Sequence, residues 1–575
     1  MRKTYLAVIL LAAFLAILVA CQANGTPAAL EEPTSQPVAT QIEPTVEPTV
    51  EPPIEPTVEP TPLTPAANWW QDAVFYEVFV RSFQDSDRDG VGDINGLIEK
   101  LDYLNDGDPT TDDDLGVTGI WLMPVTESPS YHGYDVVDYY SVDREYGTEE
   151  DFLRLVDEAH QRGIRIIVDL VLNHTSSQHF WFQESKAGDP EFRDWYVWVA
   201  EAPSYRGPWN QTVWYKANDS YYYAVFWSEM PDLNLQNPEV TAELYDVAEF
   251  WLEEMNADGF RLDAIKHLVE DGRLQENTNA THEWLMGFYD HYKAIDPNAF
   301  AVGEAWTSTA EVLDYTGDEV DVAFAFDLGE AILNTVRGPL ALPVIDEMAR
   351  LVENFPPGQY ATFLANHDQD RVMSQLRGEE VRAKLAATIY LTSPGVPFIY
   401  YGEEIGMMGG KPDEDIRRPM QWQGDDLGAG FTTGQPWRAP ALDYQTRNVA
   451  AQEEDPDSLL NHYRALIRLR NQFPALRTGD WTLVDAGTPR IYAFLRHSGD
   501  ETILVLMNVH PADLSTADYG LNLESGPLPQ GVRALGLLGL ESPGDPVINA
   551  QGGFTNYTPF DTIPSQSFAI IQLVP

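Results

Sequence analysis

From Trp69 to about Thr478, short apolar runs alternate with amphipathic segments at helical spacing. Parallel strands cannot be joined by tight turns, so this alternation commits the segment to a parallel sheet with helical returns. The strand candidates are 73–80, 119–124, 165–170, 259–262, 300–302, 322–326, 362–365 and 397–401. Before the third, a helix is expected from near Thr148, with Phe152, Leu155, Val156 and Ala159 on one face and Gly163 at its C-terminal cap. A second helix carries Leu244, Val247, Ala248, Trp251, Leu252 and Met255 on one face and runs into the fourth strand. Eight strands with helical returns suit a TIM (β/α)8 barrel better than an open sheet.

The aromatic stretch 176–231 lacks helical periodicity and reads as an insertion subdomain after the third strand. It divides the barrel into 68–175 and 232–477. Beyond 478 the period changes to two, over 491–496, 502–509 and 567–574, which predicts a C-terminal antiparallel β-sandwich over 478–575. A structural lid on the barrel is its expected role.

The formal net charge of -55 excludes nucleic acid and anionic lipid surfaces as partners, because a phosphate backbone would be repelled. A neutral polysaccharide is unaffected by that objection. Residues 1–20 carry Arg2 and Lys3 ahead of an apolar run too short for a membrane span, which reads as a secretory leader. Its end, Leu18 to Cys21, resembles the lipobox of bacterial lipoproteins, so Cys21 is expected to be lipidated. This is the chain's single cysteine, and it forms no internal disulfide. Repeated Glu-Pro-Thr units within 21–67 favour an extended, disordered tether. The expected location is extracytoplasmic, with membrane contact through the lipid anchor alone and no protein partner implied.

Three carboxylates stand at strand ends: Asp263 after a strand containing Arg261, Glu304 after an apolar strand and before Trp306, and Asp368 beside His367. Retaining glycosidases need a nucleophilic carboxylate, a carboxyl that gives and then takes a proton, and groups that stabilise an oxocarbenium-like transition state. A guanidinium beside Asp263 would keep it ionised, and desolvation near Trp306 would raise Glu304 toward a working acid. A lone Asp among 90 acidic residues would be a surface group, but carboxylates at the ends of strands in one barrel are not.

The segments Asp169 to His174, Gly259 to Asp263, Gly303-Glu304, Asn366 to Asp368, Met230 to Asn234 and Gly395 to Glu404 occur in this order. Together they resemble the motifs of the α-amylase family, glycoside hydrolase family 13, over the chain from Trp69 onward. The resemblance implies Asp263 as nucleophile, Glu304 as acid/base and Asp368 as transition-state stabiliser, with Arg261, His174 and His367 in the same subsite. It also implies Tyr134 as a stacking platform with His132 and Asp169 nearby, and Lys266 and His267 at reducing-end subsites. The segments around Asp232 and from Gly409 to Trp422 look like a group intermediate between oligo-1,6-glucosidases and neopullulanases, which includes lipoprotein α-amylases. Ala264 is the small residue of α-1,4-acting members. Exo-acting relatives carry an Asp where this chain has Tyr131, so an open cleft is expected.

Carboxylates alternate around a glycine turn from Asp85 to Asp93, a pattern for a hard cation with oxygen ligands. Relatives hold calcium in this loop, which implies a structural Ca2+ on Asp85, Asp87, Asp89, Asp93 and the Val91 carbonyl; a plain acidic turn is the alternative. A second calcium would fall near Asn173. The leading functional expectation is a retaining hydrolase of internal α-1,4 bonds in starch and maltooligosaccharides. A cyclomaltodextrinase, neopullulanase or 4-α-glucanotransferase shares the same catalytic groups, and a catalytically inactive glucan-binding barrel is the non-enzyme alternative.

Overall fold

The computed structural model describes residues 68–424 and 427–575; the leader, Cys21 and the tether lie outside the described residues. Eight parallel strands close into a barrel: β1 (Phe75–Val78), β2 (Gly119–Leu122), β3 (Arg165–Leu170), β4 (Gly259–Leu262), β5 (Phe300–Gly303), β6 (Val322–Phe324), β7 (Tyr360–Thr362) and β8 (Val396–Tyr400). Each strand pairs with its sequence neighbour, and β1 closes the ring on β8 through Phe75 opposite Phe398.

Period-two alternation sorts the strand residues between two cores. Phe75, Ile167, Phe300, Val302, Phe324 and Phe398 point inward and fill the barrel, with Phe75 and Phe398 stacked at 4.5 Å. Tyr76, Val78, Val168, Phe260 and Leu262 point outward into the helical layer. Gly119 is required because a Cβ there would sit 2.5 Å from the Phe75 ring. The same alternation brings Glu77, Asp169 and Arg261 inside, two residues beyond Phe75, Ile167 and Gly259 and therefore nearer the C-terminal mouth. Polar residues thus crown an aromatic plug.

The expected first helix is present as α1 (Glu149–Gln161), with Thr148 and Asp151 forming a reciprocal cap and Phe152, Leu155, Val156 and Ala159 buried. The second, α2 (Pro238–Glu249), passes into a wider π-turn at Phe250–Glu254 that still buries Trp251 and Leu252. Strand limits differ at three places. Val80–Phe83 is a helical turn rather than the end of β1. The seventh strand spans Tyr360–Thr362 rather than 362–365, and Phe363, which follows it, still packs in the barrel core. The apolar run there reports burial beyond the end of the ladder. The eighth starts one residue earlier than expected, at Val396.

Within the insertion, Trp198–Val199, Trp214–Ala217 and Ser220–Tyr223 form a three-stranded antiparallel sheet. Bridges from His174 to Asp232 and from Tyr196 to Leu233 fasten its ends to the barrel mouth. The C-terminal domain contains β9 (Asp480–Leu483), β10 (Ile491–Ser498), β11 (Glu501–Asn508), β12 (Arg533–Gly539) and β13 (Ser567–Val574), in the order β9-β10-β11-β13-β12. One face, with Tyr492, Phe494, Val505 and Ile570, joins the barrel's outer core. The other packs Leu504, Leu506 and Ile571 against two short ribbons through Leu514, Leu521, Phe554 and Ile563. The second layer of the sandwich is therefore ribbons, and the main sheet is buried on both sides.

Candidate active site

At the C-terminal mouth of the barrel lies a cavity of about 550 Å³ whose lining includes His132, Tyr134, His174, Asp263, His267, Glu304 and Asp368. Arg261, fully buried on β4, forms the base of the site. Its Nη1 donates to Asp169 at 2.8 Å and to Asp263 at 2.7 Å, while Nη2 donates to Glu304 at 2.7 Å. A single guanidinium thus holds two of the three carboxylates side by side. Ala264, in the left-handed region at φ 49°, turns its N–H onto Glu304 Oε2 at 3.1 Å. A non-glycine residue there costs on the order of 1 kcal/mol, which the packed site sustains.

Charge balance sets the protonation. Asp169, Asp263, Glu304, Asp368 and Glu77 face only Arg261, Arg417 and His367 as cations. Burial pushes Glu304 up to about 7 against the pull of Arg261, and Asp169 up to about 6 in the same way. Asp368 behaves oppositely: burial works to raise it, but His367 at 3.3 Å and Arg417 at 2.7 Å outweigh burial and hold its carboxyl well below the usual range. His367 would lose its proton through burial, yet Asp368 and Glu77 push it up to about 9. Its Nδ1 lies 2.6 Å from Glu77, and its Nε2 lies 2.8 Å from the Tyr134 hydroxyl, which in turn donates to Asp169 at 2.9 Å.

Tyr134 lines the cavity with its ring parallel to His367 at 5.4 Å. His174 and His267 also line it, and burial lowers both, His267 to about 4, so each is a neutral imidazole. The buried His174 Nε2 has no hydrogen-bond partner, leaving it ready for a sugar hydroxyl. His132 Nδ1 accepts the Tyr134 N–H at 3.1 Å. Lys266 stands at the edge, its Nζ 2.8 Å from Glu276 and 2.9 Å from the Trp306 carbonyl. Asp169, Arg261 and His367 lie beneath the cavity floor, bonded to the groups that line it. Tyr131 packs behind Arg417, stacked on Trp437 at 5.5 Å.

Several contributors were not singled out by sequence reasoning. Glu77 was legible in principle, as an acid at an inward position of an apolar strand. Arg417 lies 49 residues from the Asp368 it pairs with, and no local pattern links them. Trp209, Phe226, Lys411 and Asp413 reach the cavity from loops whose path the sequence does not specify.

In the calcium-loop candidate, Asp85, Asp87 and Asp89 bring carboxylate oxygens within 4.8 Å of one another. Asp93 is engaged with the Ser86 N–H and hydroxyl and caps the next helix through the Gly96 N–H at 2.7 Å. The Val91 N–H donates to Asp89 at 2.7 Å. Farther along the mouth, Asn173 Oδ1 and Asp232 Oδ2 are buried without hydrogen-bond partners.

A parallel barrel with a carboxylate cluster at its C-terminal mouth defines a glycoside hydrolase. The alpha-amylase catalytic-domain model matches residues 77–479. "Alpha-amylase 3" of Dictyoglomus thermophilum is 43% identical over 449 residues, covering 77% of this chain and 85% of that protein. An oligo-1,6-glucosidase of Heyndrickxia coagulans is 32% identical, covering 77% and 92%. The crystal structure of the α-amylase from H. orenii superposes with a TM-score of 0.76 at 38% identity, covering 87% of this chain and 99% of that one. The chain belongs to the α-amylase family, glycoside hydrolase family 13, and fits its oligo-1,6-glucosidase-like group.

Proposed function

We propose that this chain is an α-amylase-type retaining hydrolase that cuts internal α-1,4-glucosidic bonds of starch and maltooligosaccharides. Asp263 attacks the anomeric carbon while Glu304 gives its proton to the leaving oxygen; Glu304 then takes a proton from the water that releases the glycosyl-Asp263 ester. Asp368, kept ionised by His367 and Arg417, binds sugar hydroxyls and balances the oxocarbenium charge. One observation carries this reading: Arg261 holds Asp263 and Glu304 together while burial keeps Glu304 protonated near neutral pH. Sharing one guanidinium favours the roughly 5–5.5 Å carboxyl spacing of retaining enzymes. The α-amylase names of the relatives support the substrate class.

Asp263→Asn is expected to abolish turnover while leaving oligosaccharide binding intact. Timed product analysis on soluble starch and maltoheptaose is expected to show early internal cuts. Release of one short product from a chain end alone would contradict the internal mode, and products of cyclodextrin or pullulan alone would favour the cyclomaltodextrinase or neopullulanase reading.

Calcium fits two places as a structural ion. Asp85, Asp87 and Asp89 are like charges gathered with no cation among them, and Asn173 and Asp232 present unsatisfied oxygens where the insertion meets the barrel. The ion would supply loop stability rather than chemistry. We further propose that Cys21 carries a lipid and tethers the enzyme outside the cytoplasm.

A further inference from the structure

The cavity has two chemically unlike ends. One is charged: His132, Asp368, Lys411, Asp413 and Arg417. The other is aromatic, built from Trp209, Phe226 and Trp306 with Met230. Orientation follows from Glu304, whose proton goes to the leaving oxygen, because Trp306 lies two residues beyond it. Trp209 packs edge-on to His267 at 5.4 Å, and His267 follows Asp263 on the same loop as the Ala264 N–H that holds Glu304. The aromatic end is therefore the leaving-group side, and the charged end grips the sugar that reacts.

Both tryptophans are held in place yet remain open. Trp306 lies flat on Phe326 at 4.7 Å and 8°, and its carbonyl takes the Lys266 ammonium, while 47% of the residue is exposed. Trp209 leans on Phe226 at 5.7 Å and is 57% exposed. Large apolar faces left in water beside a reacting centre have a ready use in a pyranose ring, whose C–H faces stack on aromatics while its hydroxyls stay solvated. Stacking sets no demand on the hydroxyl pattern. Hydrogen bonding at the charged end does.

Resting on the retaining mechanism above, we propose that Trp209 and Trp306 form a stacking seat for the leaving glucose, and that the same seat admits α-glucosides as acceptors. Transfer then competes with hydrolysis. The acceptor hydroxyl oxygen bonds to the anomeric carbon of the glycosyl-Asp263 ester, the bond to Asp263 breaks and restores its carboxylate, and Glu304 takes the acceptor's proton. The water step is replaced atom for atom, and no further reactant is needed.

The test uses α-maltosyl fluoride as donor, since fluoride departs without a leaving sugar, and p-nitrophenyl α-glucoside as acceptor. Fluoride release and chromatographed aryl oligosaccharides are compared for the wild type, Trp209→Ala, Trp306→Ala and Trp306→Phe. The wild type is expected to form elongated aryl glycosides. Each alanine variant should lose about tenfold in the transfer-to-hydrolysis ratio, as expected for losing one stacked sugar face, and Trp306→Phe should restore most of it. On maltoheptaose, kcat/KM should fall more in the alanine variants than fluoride release does. An unaltered ratio in both alanine variants, or no aryl product from a wild type that releases fluoride, would overturn the proposal. A wild type that releases no fluoride would overturn the glycosidase reading and this inference with it.

Discussion

Glu304 hydrogen-bonds a fully buried arginine at 2.7 Å and is nevertheless pushed up to about 7, because burial outweighs the attraction. The acid is therefore kept protonated at a cost to the fold. A carboxyl raised from 4.5 to about 7 contributes stability that is complete below pH 4.5 and is lost as pH rises through about 7. Glu304→Gln should remove that slope, so the variant's Tm relative to the wild type should climb between pH 4.5 and 7 while activity collapses. Thermal melts across that range check it. His367 offers a second case. Burial alone would neutralise it, and Glu77 is one of the two carboxylates that hold it at about 9. Glu77→Gln should lower the His367 pKa and move the alkaline fall of kcat to lower pH, read directly from a pH–rate profile. Residue chemistry of this kind is only half legible in a sequence. The pairing of Arg261 with Asp263 follows from a two-residue spacing on one strand, whereas Arg417 with Asp368 depends on the fold returning a distant loop.

At the scale of elements, alternation explains most of what the sequence reveals and also what it conceals. All eight barrel strands were visible as apolar runs, and α1 was visible down to its cap. Strand ends were not, because Phe363 and its neighbours remain buried after the ladder stops. The join between barrel and C-terminal sheet was equally hidden. There Arg496, fully buried on β10, donates to the carbonyls of Thr392, Leu476, Arg477 and Gly479, and Arg470 does the same for Leu391, Ser393 and Gly395. Neither pairs with a carboxylate among the described residues, so chain ends and turns of two domains supply their solvation. Removing such a donor strands several buried carbonyls, each worth roughly 1–3 kcal/mol. Arg496→Met should destabilise by at least about 3 kcal/mol, measured as a drop in the urea midpoint with the m-value retained.

Over the whole molecule, a net charge of -55 opposes the compact state by self-repulsion. Salt screens such charges, with a Debye length falling from about 10 Å at 0.1 M to about 3 Å at 1 M. Tm should therefore rise from low salt to 1 M sodium chloride. Chelation should work in the opposite direction: EDTA should lower Tm and added Ca2+ should restore it, with Asp87→Asn blunting the effect if the Asp85–Asp89 loop holds the ion. The family's fold and its carboxylate cluster could be read from strand pattern and motif order. The two-ended character of the cavity could not, since it depends on Trp209 arriving from the insertion and Lys411 from the loop after β8.

Proton NMR of the sugar formed in the first seconds of maltoheptaose hydrolysis tests the central claim, that Asp263 and Glu304 act as nucleophile and acid/base of a retaining enzyme, most directly. The α-anomer of the new reducing end should appear first and then mutarotate. Initial formation of the β-anomer would mean direct attack by water and would contradict the account.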